Sequence, residues 1–554
     1  MTMSSSDLGL KLVRNVLEAV GVRVEDIQVR EYPGEKNYLV FVPKESVPEA
    51  AKHSSDLESR LAVDGSEVYV IIRPYADPKG PAKVKQPALT SLADKRVTEL
   101  VALVSARSRV SAAEPSLIYV PNARGSLSAV TAARHHLIFG RRGAGKTALL
   151  VEARRSVETG GAAAAWVNIQ TYRREPGPRV VLYTLSKIFE GVLSGEDILP
   201  PSHSASIAIS NCYSLVQAML TKEVNTELEV TQLVPKAQGA LQRYLELTNM
   251  TVYAFLDDFY YVPRADQPAI LDMLHGVTRD SKIWLKIASI KHLTRWWVSS
   301  PPTGLQTGQD AEVVDLDVTL QDPRQAGEFL EAVLDGYAKT VGISSLSRIF
   351  SRGALDRLVL ASGGVPRDYM VLAASAVTRA QQRPGARQAG VQEVNQAAGD
   401  AAAAKINELE EDMASNPGSA DKTVETLKIV RRFCLEDSGY TYFLVSFRDK
   451  EDHPLWYSLL TDLMDARMVH LIDEGVSDPH SAGHRSEAFM LDLSQYSGAR
   501  LKQRIHVLDF VGGNYVARQT RGSEKARIGS TSRQLTAILR SAPRLKLEAF
   551  SGVS

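Results

Sequence analysis

Residues 140–147 read Gly-Arg-Arg-Gly-Ala-Gly-Lys-Thr, which fits G-x-x-x-x-G-K-[ST]. The apolar run His136-Leu137-Ile138-Phe139 before it is strand-like, and the run from Thr147 to Ala153 after it forms helix readily. Strand, glycine-rich turn and helix in that order commit this stretch to an α/β phosphate-binding core. Glycine lets the backbone bend tightly enough to aim a row of N–H groups at an anion. The positive end of the following helix faces the same anion. The expected cradle is Gly140, Arg141, Arg142, Gly143, Ala144, Gly145, Lys146, Thr147 and Ala148. Lys146 would reach the β- and γ-phosphates of a nucleoside triphosphate, and the Thr147 hydroxyl would sit on Mg²⁺. ATP and Mg²⁺ are the expected cofactors.

Such a site needs a carboxylate beside the metal and a polar group to orient water. The run Val252-Tyr253-Ala254-Phe255-Leu256-Asp257-Asp258 supplies a buried strand that ends in two acids. Asp257 would hold Mg²⁺ through its water shell, and Asp258 would activate the attacking water. A further strand, residues 284–292, brings Ser289 to where a side chain could touch the γ-phosphate or the water. In Ser362-Gly363-Gly364-Val365-Pro366-Arg367, the glycines and proline place Arg367 in the first turn of a helix. An arginine there can fold over bound triphosphate and lose its partner when the γ-phosphate leaves, which makes it a nucleotide sensor.

With 554 residues the chain should hold several domains. Residues 1–75 read as a small α+β unit with an α-β-β-α-β pattern. That pattern suits a KH-type module, but no G-x-x-G loop stands between its helices to clamp backbone phosphates; a plain docking domain is the alternative. Residues 76–112 read as a Pro/Lys-rich linker and a helix, 113–325 as the nucleotide-binding core, and 326–415 as a helical lid. Residues 416–510 read as three helices followed by two strands, a winged helix. Residues 511–554 read as a basic, partly disordered tail, whose Arg518, Arg521, Lys525, Arg527, Arg533, Arg540, Arg544 and Lys546 could bind phosphates without reading sequence or simply be solvated.

Composition excludes more than it assigns. The formal net charge is +1, so any nucleic-acid surface has to be local. Cys212 and Cys434 have no metal-ligand spacing, and neither a disulfide nor a zinc site is expected. The N-terminus lacks the pattern of a secretory signal. No apolar run approaches the roughly 20 residues that span a bilayer. A cytoplasmic protein with no membrane partner is expected.

Together, the stretches around 139–150 and 255–261, the Ser289 strand, residues 301–310, Asp315-Leu316-Asp317 and the Gly363-to-Arg367 turn resemble the bacterial ORC-type (origin-recognition-complex-like) AAA+ ATPases. The resemblance covers roughly residues 113–495. It implies a parallel five-stranded sheet between helices, a helical lid carrying Arg367, a C-terminal winged helix and ATP bound between core and lid. It also implies a homo-oligomer in which a neighbour's arginine reaches the γ-phosphate, with Arg295 as the candidate. The chain departs from replication-initiator patterns in two places. Asp258 replaces the usual Glu, and the expected recognition helix, residues 454–467, carries Asp462 and Asp465 and only one arginine. Acid there repels DNA phosphate, which leaves the wing (His480, His484, Arg485) as the DNA contact, or a protein as the partner.

The reading that follows is an ATP-hydrolysing switch that oligomerises and acts on nucleic acid, DNA first, in genome maintenance, a mobile element or defence. The alternative is a STAND-like signalling ATPase whose ATP-gated assembly recruits a protein, with residues 1–75 or the winged helix as the docking surface. A third is a nucleotide-bound scaffold that hardly turns over.

Overall fold

The computed structural model describes residues 5–32, 35–43, 46–62, 67–74, 89–108, 119–121, 126–194, 199–412, 419–477, 484–498, 502–521 and 526–553. The chain divides into two compact units, residues 1–88 and 89–554.

The first unit runs α1 (Ser5–Ala19), β1 (Asp26–Tyr32), β2 (Glu35–Val42), α2 (Val47–Ala51), α3 (Ser54–Leu61) and β3 (Glu67–Pro74). Strand β2 is central, antiparallel to β1 and parallel to β3. Tyr38, Val40 and Val42 alternate inward and meet Val13 and Leu17 of α1 and Leu57 of α3. The single helix expected over 47–61 is broken. Lys52 and His53 donate their N–H groups three residues back, to Glu49 and Ala50, and this tightened turn starts α3 in a new direction. Neither turn residue is glycine.

In the second unit, α4 (Lys95–Ala106) and α5 (Ser126–Thr131) precede the P-loop core. The core continues β4 (His135–Phe139), α6 (Lys146–Thr159), β5 (Ala163–Asn168), α7 (Gly177–Leu193), α8 (Ser204–Leu220), α9 (Glu227–Thr248) and β6 (Val252–Asp257). It ends with α10 (Gln267–Thr278), β7 (Ile283–Ser289), the short hairpin β8 (Trp297–Ser299) and β9 (Pro302–Gly304), and β10 (Ala311–Asp315). The sheet order is β10-β4-β7-β6-β5, with every pair parallel. Helices cover both faces, so β4 is buried throughout, its two histidines included. Its residues still alternate. Leu137 and Phe139 pack with α7, α9 and α10, and Ile138 packs with α5 and with Leu149, Leu150 and Ala153 of α6. The P-loop leaves the C-terminal end of β4 between these two layers.

The lid follows as α11 (Pro323–Thr340), α12 (Arg352–Ser362), α13 (Pro366–Gln381) and α14 (Val391–Asp412). Val97, Leu100 and Val104 of α4 join its core beside Leu330, Leu334 and Leu358, so the helix read as part of a linker packs as part of the lid. Next come α15 (Ser419–Arg432), β11 (Tyr442–Ser446), α16 (Phe447–Asp452), α17 (Pro454–Asp465), β12 (Val469–Ser477) and β13 (Arg485–Leu491). The sheet order is β11-β13-β12, all antiparallel, on the helix–strand–helix–helix–strand–strand plan of a winged helix. Strand β11 falls where the residue pattern predicts a helix. All of Tyr442 to Val445 are buried, and a short apolar run without alternation does not reveal its period.

The segment read as a partly disordered basic tail is folded over its described residues. It forms β14 (His506–Val511), β15 (Asn514–Gln519), β16 (Arg527–Gly529) and α18 (Ser532–Leu539). Gly512 and Gly513, both with positive φ, make the tight β14–β15 hairpin, so the boundary drawn at 510 cuts a strand pair. Tyr515, Leu539, Leu547 and Phe550 enter the lid's own hydrophobic core. Its arginines are partly committed. Arg518 pairs with Asp509 at 2.8 Å, and Arg540 donates to Ser477 O at 2.8 Å. Among the described residues, no helix is long and apolar enough to cross a membrane.

Candidate nucleotide site

Gly143 and Gly145 have φ of +81° and +99°, the left-handed region that side chains avoid, so the loop can turn its N–H groups inward only with glycine there. Helix α6 begins at Lys146. Its buried ammonium donates to Gly140 O at 2.8 Å and to Arg141 O at 3.2 Å, folded into the loop it serves. The Thr147 hydroxyl donates to Asp257 Oδ2 at 2.8 Å, joining the start of α6 to the end of β6. Burial, reinforced by the neighbouring Asp258 carboxylate, pushes the Asp257 carboxyl up to about 7. Burial likewise raises Asp258, against the pull of Lys146 and Arg142. Asp258 has φ of +57°, a conformation that Asp tolerates better than most side chains.

A cavity of about 370 Å³ opens over the loop. Arg142, Gly143, Ala144, Gly145, Lys146, Thr147 and Ala148 line it, together with Asp258 and, from the lid, Arg367. The remaining candidates lie elsewhere. Gly140 contributes its carbonyl to Lys146. Asp257 stands behind Thr147. The N–H of Arg141 is bound to Asp317 Oδ1 at 2.8 Å, and its guanidinium donates to Val318 O and Gly363 O. Neither group of Arg141 is offered to a phosphate. Ser289 is fully buried with its hydroxyl 2.6 Å from that of Thr294, outside the cavity wall. Arg295 is exposed and also outside the wall; its backbone N–H donates to Gln267 Oε1 at 2.6 Å.

Sequence reasoning missed the other half of the cavity. Tyr119 and Val120 line it from the segment between α4 and α5, and Phe329, Val333, Tyr337 and Met370 line it from the lid. This apolar, aromatic wall suits the flat face of a base. A signal existed: Phe329, Val333 and Tyr337 are spaced i, i+4, i+8 on α11, beside the core stripe Ala326, Leu330 and Leu334. Gln170 and Tyr261, at the strand ends beside Asp258, were also missed; they lie 3.4 Å apart and both face the cavity.

The acids of the expected recognition helix have an internal partner. Asp465 of α17 pairs with His292, three residues past β7, and Asp462 stands 3.6 Å from the same ring. Burial alone would lower the imidazole, but the two carboxylates outweigh it and hold His292 above its ordinary value. The surface of α17 that carries these acids is therefore turned to the core. His484 and Arg485 of the wing are exposed, and His480 lies outside the described residues.

No protein-family model matches the chain, and no curated protein sequence does. Among solved structures it is similar to the Orc1 protein of Aeropyrum pernix in complex with DNA, at 14% identity over 68% of this chain and 90% of that one, TM-score 0.32. It is also similar to the RuvB Holliday junction branch migration motor of Thermotoga maritima, at 11% identity over 57% and 76%, TM-score 0.29. A signal transduction ATPase with numerous domains (STAND) from Pyrococcus horikoshii, with a tetratricopeptide repeat sensor, matches at 13% identity over 69% and 42%, TM-score 0.24. The features that mark the core come from this chain itself. In chain order its five parallel strands lie fifth, first, fourth, third, second, with the P-loop after the first and paired acids after the third. That is an AAA+ P-loop core, with a helical lid, a winged-helix unit and a small N-terminal α+β unit.

Proposed function

We propose that the protein is an ATP-binding and ATP-hydrolysing switch. One observation carries the reading: a single cavity is walled by the P-loop, by Asp258 at the acidic strand end and by Arg367 of the lid. Lys146 would hold the β- and γ-phosphates, and the apolar wall would hold the base. The Thr147 and Asp257 oxygens, 2.8 Å apart, are hard donors that fit Mg²⁺ carried in with the triphosphate. Bound there, Mg²⁺ would neutralise charge on the β- and γ-phosphates. Asp258 takes a proton from water as the water oxygen bonds to the γ-phosphorus. The bond from that phosphorus to the β–γ bridging oxygen breaks, and ADP and phosphate are left. Loss of the γ-phosphate removes the partner of Arg367 and frees the lid. The exposure of Arg295 supports a trans role in a homo-oligomer, where it would reach a neighbour's γ-phosphate.

For the downstream target we propose nucleic acid, DNA first, engaged through the wing. The docking of Asp462 and Asp465 on His292 favours a second reading, a STAND-like switch that recruits a protein, because the helix that would enter a major groove is held on the core. The deciding experiment is ATP hydrolysis at low salt with and without duplex DNA, beside Lys146→Ala. Hydrolysis that DNA stimulates, and that vanishes in the variant, supports the nucleic-acid switch. Hydrolysis indifferent to DNA, with no DNA binding, supports the protein-directed one. No hydrolysis and no ATP binding would end both.

A further inference from the structure

Arg367 owes its place to how the start of α13 is seated. Its backbone N–H donates to Gly143 O at 3.3 Å, and a Cβ on Gly143 would lie 2.8 Å from the Cβ of Arg367. On the P-loop side there is no slack. The other side of the same turn is held by the winged-helix unit. Asp368, the next residue, pairs with Arg467, which is 3% exposed and has φ of +61° in the link between α17 and β12. Lys405 of α14 stands 3.9 Å from Asp368 and donates to Asp492 at 2.9 Å. Asp492 also accepts from His470 Nε2 at 2.8 Å. The His470 ring fills the space a Cβ would need at Gly363, 2.1 Å from its Cε1. The Gly363 carbonyl in turn accepts from Arg141 of the P-loop at 3.1 Å.

Arg467, Lys405, His470 and Asp492 are buried and Asp368 is partly so, and the charges cancel: Asp368 and Asp492 against Arg467 and Lys405. Buried ion pairs contribute little net stability compared with apolar packing of the same volume, because desolvation offsets the attraction. What such a set does fix is geometry, since its ion pairs close in only one arrangement, even though Asp368 Oδ2 and His470 Nδ1 have no hydrogen-bond partner in it. This set lies around the turn that carries the nucleotide sensor, and three of its members, Arg467, His470 and Asp492, belong to the winged-helix unit.

We propose that Arg467 and Asp368 are positioning residues of the nucleotide site: the winged-helix unit, through this pair, holds Arg367 over the cavity. This inference rests on reading the cavity as an ATP site. It makes γ-phosphate contact and the attitude of the winged helix two faces of one equilibrium. By reciprocity, a ligand that binds one attitude of the winged-helix unit more tightly than the other shifts the preference for ATP over ADP.

The test is equilibrium binding of ATP and of ADP, both with Mg²⁺, to the full chain. The variants are Arg367→Ala, the pair Asp368→Asn with Arg467→Met, and Arg467→Lys. Removing both charges at once leaves neither buried alone, so the double variant should melt close to wild type. Its ATP-over-ADP preference should fall about 10- to 100-fold, the scale of a lost hydrogen bond to a charged group. The fall should match that of Arg367→Ala, and adding Arg367→Ala should lower it no further. ADP affinity should stay within about twofold, a split that a general loss of packing would not produce. Arg467→Lys keeps the charge with a different reach, and should retain part of the preference. It reads the same coupling if the double variant does not fold. Preference equal to wild type in Arg467→Lys and in the double variant overturns the inference and leaves the ATP reading standing. Wild-type protein that binds neither nucleotide overturns both.

Discussion

Asp258 stands where a longer acid would reach further into the cavity, yet its backbone is turned to φ of +57°. Asp is among the few residues that visit this region cheaply, while a longer side chain pays about 1 kcal/mol or more there. The short acid and the left-handed turn go together. Asp258→Asn should keep ATP affinity within about twofold and lower turnover by roughly 10²- to 10⁴-fold, the usual share of a general base. Asp258→Glu should lower thermal stability by about 1 kcal/mol in a melt; a variant as stable as wild type would show that the turn imposes no such preference.

Lys286 poses a different residue-scale question, because it is fully buried in β7 at the end of the sheet away from the P-loop. It donates to Ala132 O and Arg134 O, both at 2.7 Å, and lies 2.9 Å from His136 Nδ1. Burial lowers its ammonium to about 7 from an ordinary 10.5. Between those values the unfolded chain binds the extra proton, so this group makes stability rise with pH from about 7 to 10.5 and is flat below. The wild-type minus Lys286→Met difference in denaturant melts should show that slope. A pH-independent difference would mean that the three acceptors keep the ammonium charged.

At the scale of elements, α17 is gripped twice, by His292 along its acidic face and by Asp368 at the arginine that follows it. The His292 contribution has a definite sign. A histidine whose folded value is raised adds stability that is fully present below its unfolded value of about 6.5 and is lost as pH rises through the folded value. The stability gap between wild type and His292→Gln should therefore be largest in mild acid and shrink above neutrality. A constant gap would assign the contact to packing. Elements also show where sequence stops being legible. The phosphate end of the cavity follows from one local motif, because eight consecutive residues carry the backbone geometry. Its base end needs the partly buried stripe of α11 to face the P-loop, and helical spacing alone does not say which stripe faces what. The x positions of the motif are equally silent: nothing in Gly-x-x-x-x-Gly announces that Arg141 will be spent on Asp317 and Gly363. The set around Asp368 draws on residues 405, 467, 470 and 492, which only the packed lid and winged helix bring together.

At the scale of the molecule, composition misled most at the C-terminus, where glycine, serine and arginine hide short strands. Tyr515 donates to Leu320 O of the segment leading into the lid, and Gly512 N–H donates to Asp356 Oδ2 at 2.9 Å. A strand-like exchange ties Leu444 of β11 to Pro543 and Leu545. Removing residues 511–554 strips Tyr515, Leu539, Leu547 and Phe550 from the shared core. At about 1.5–3 kcal/mol for each buried apolar side chain, that loss is comparable to the whole stability of a typical domain, about 5–15 kcal/mol. Residues 1–88 have a hydrophobic core of their own and form a separate compact unit. The two truncations should therefore differ sharply. A chain of residues 89–554 should melt cooperatively and bind ATP like the full protein, while residues 1–510 should lose the cooperative transition, expose apolar surface and bind none. Equal nucleotide binding by residues 1–510 would mean that the core and lid close without their C-terminal hairpin. The pairing of Asp509 with Arg357 of α12, at 2.8 Å beside Arg518, argues against that: without β15 this buried acid keeps only one of its two arginines.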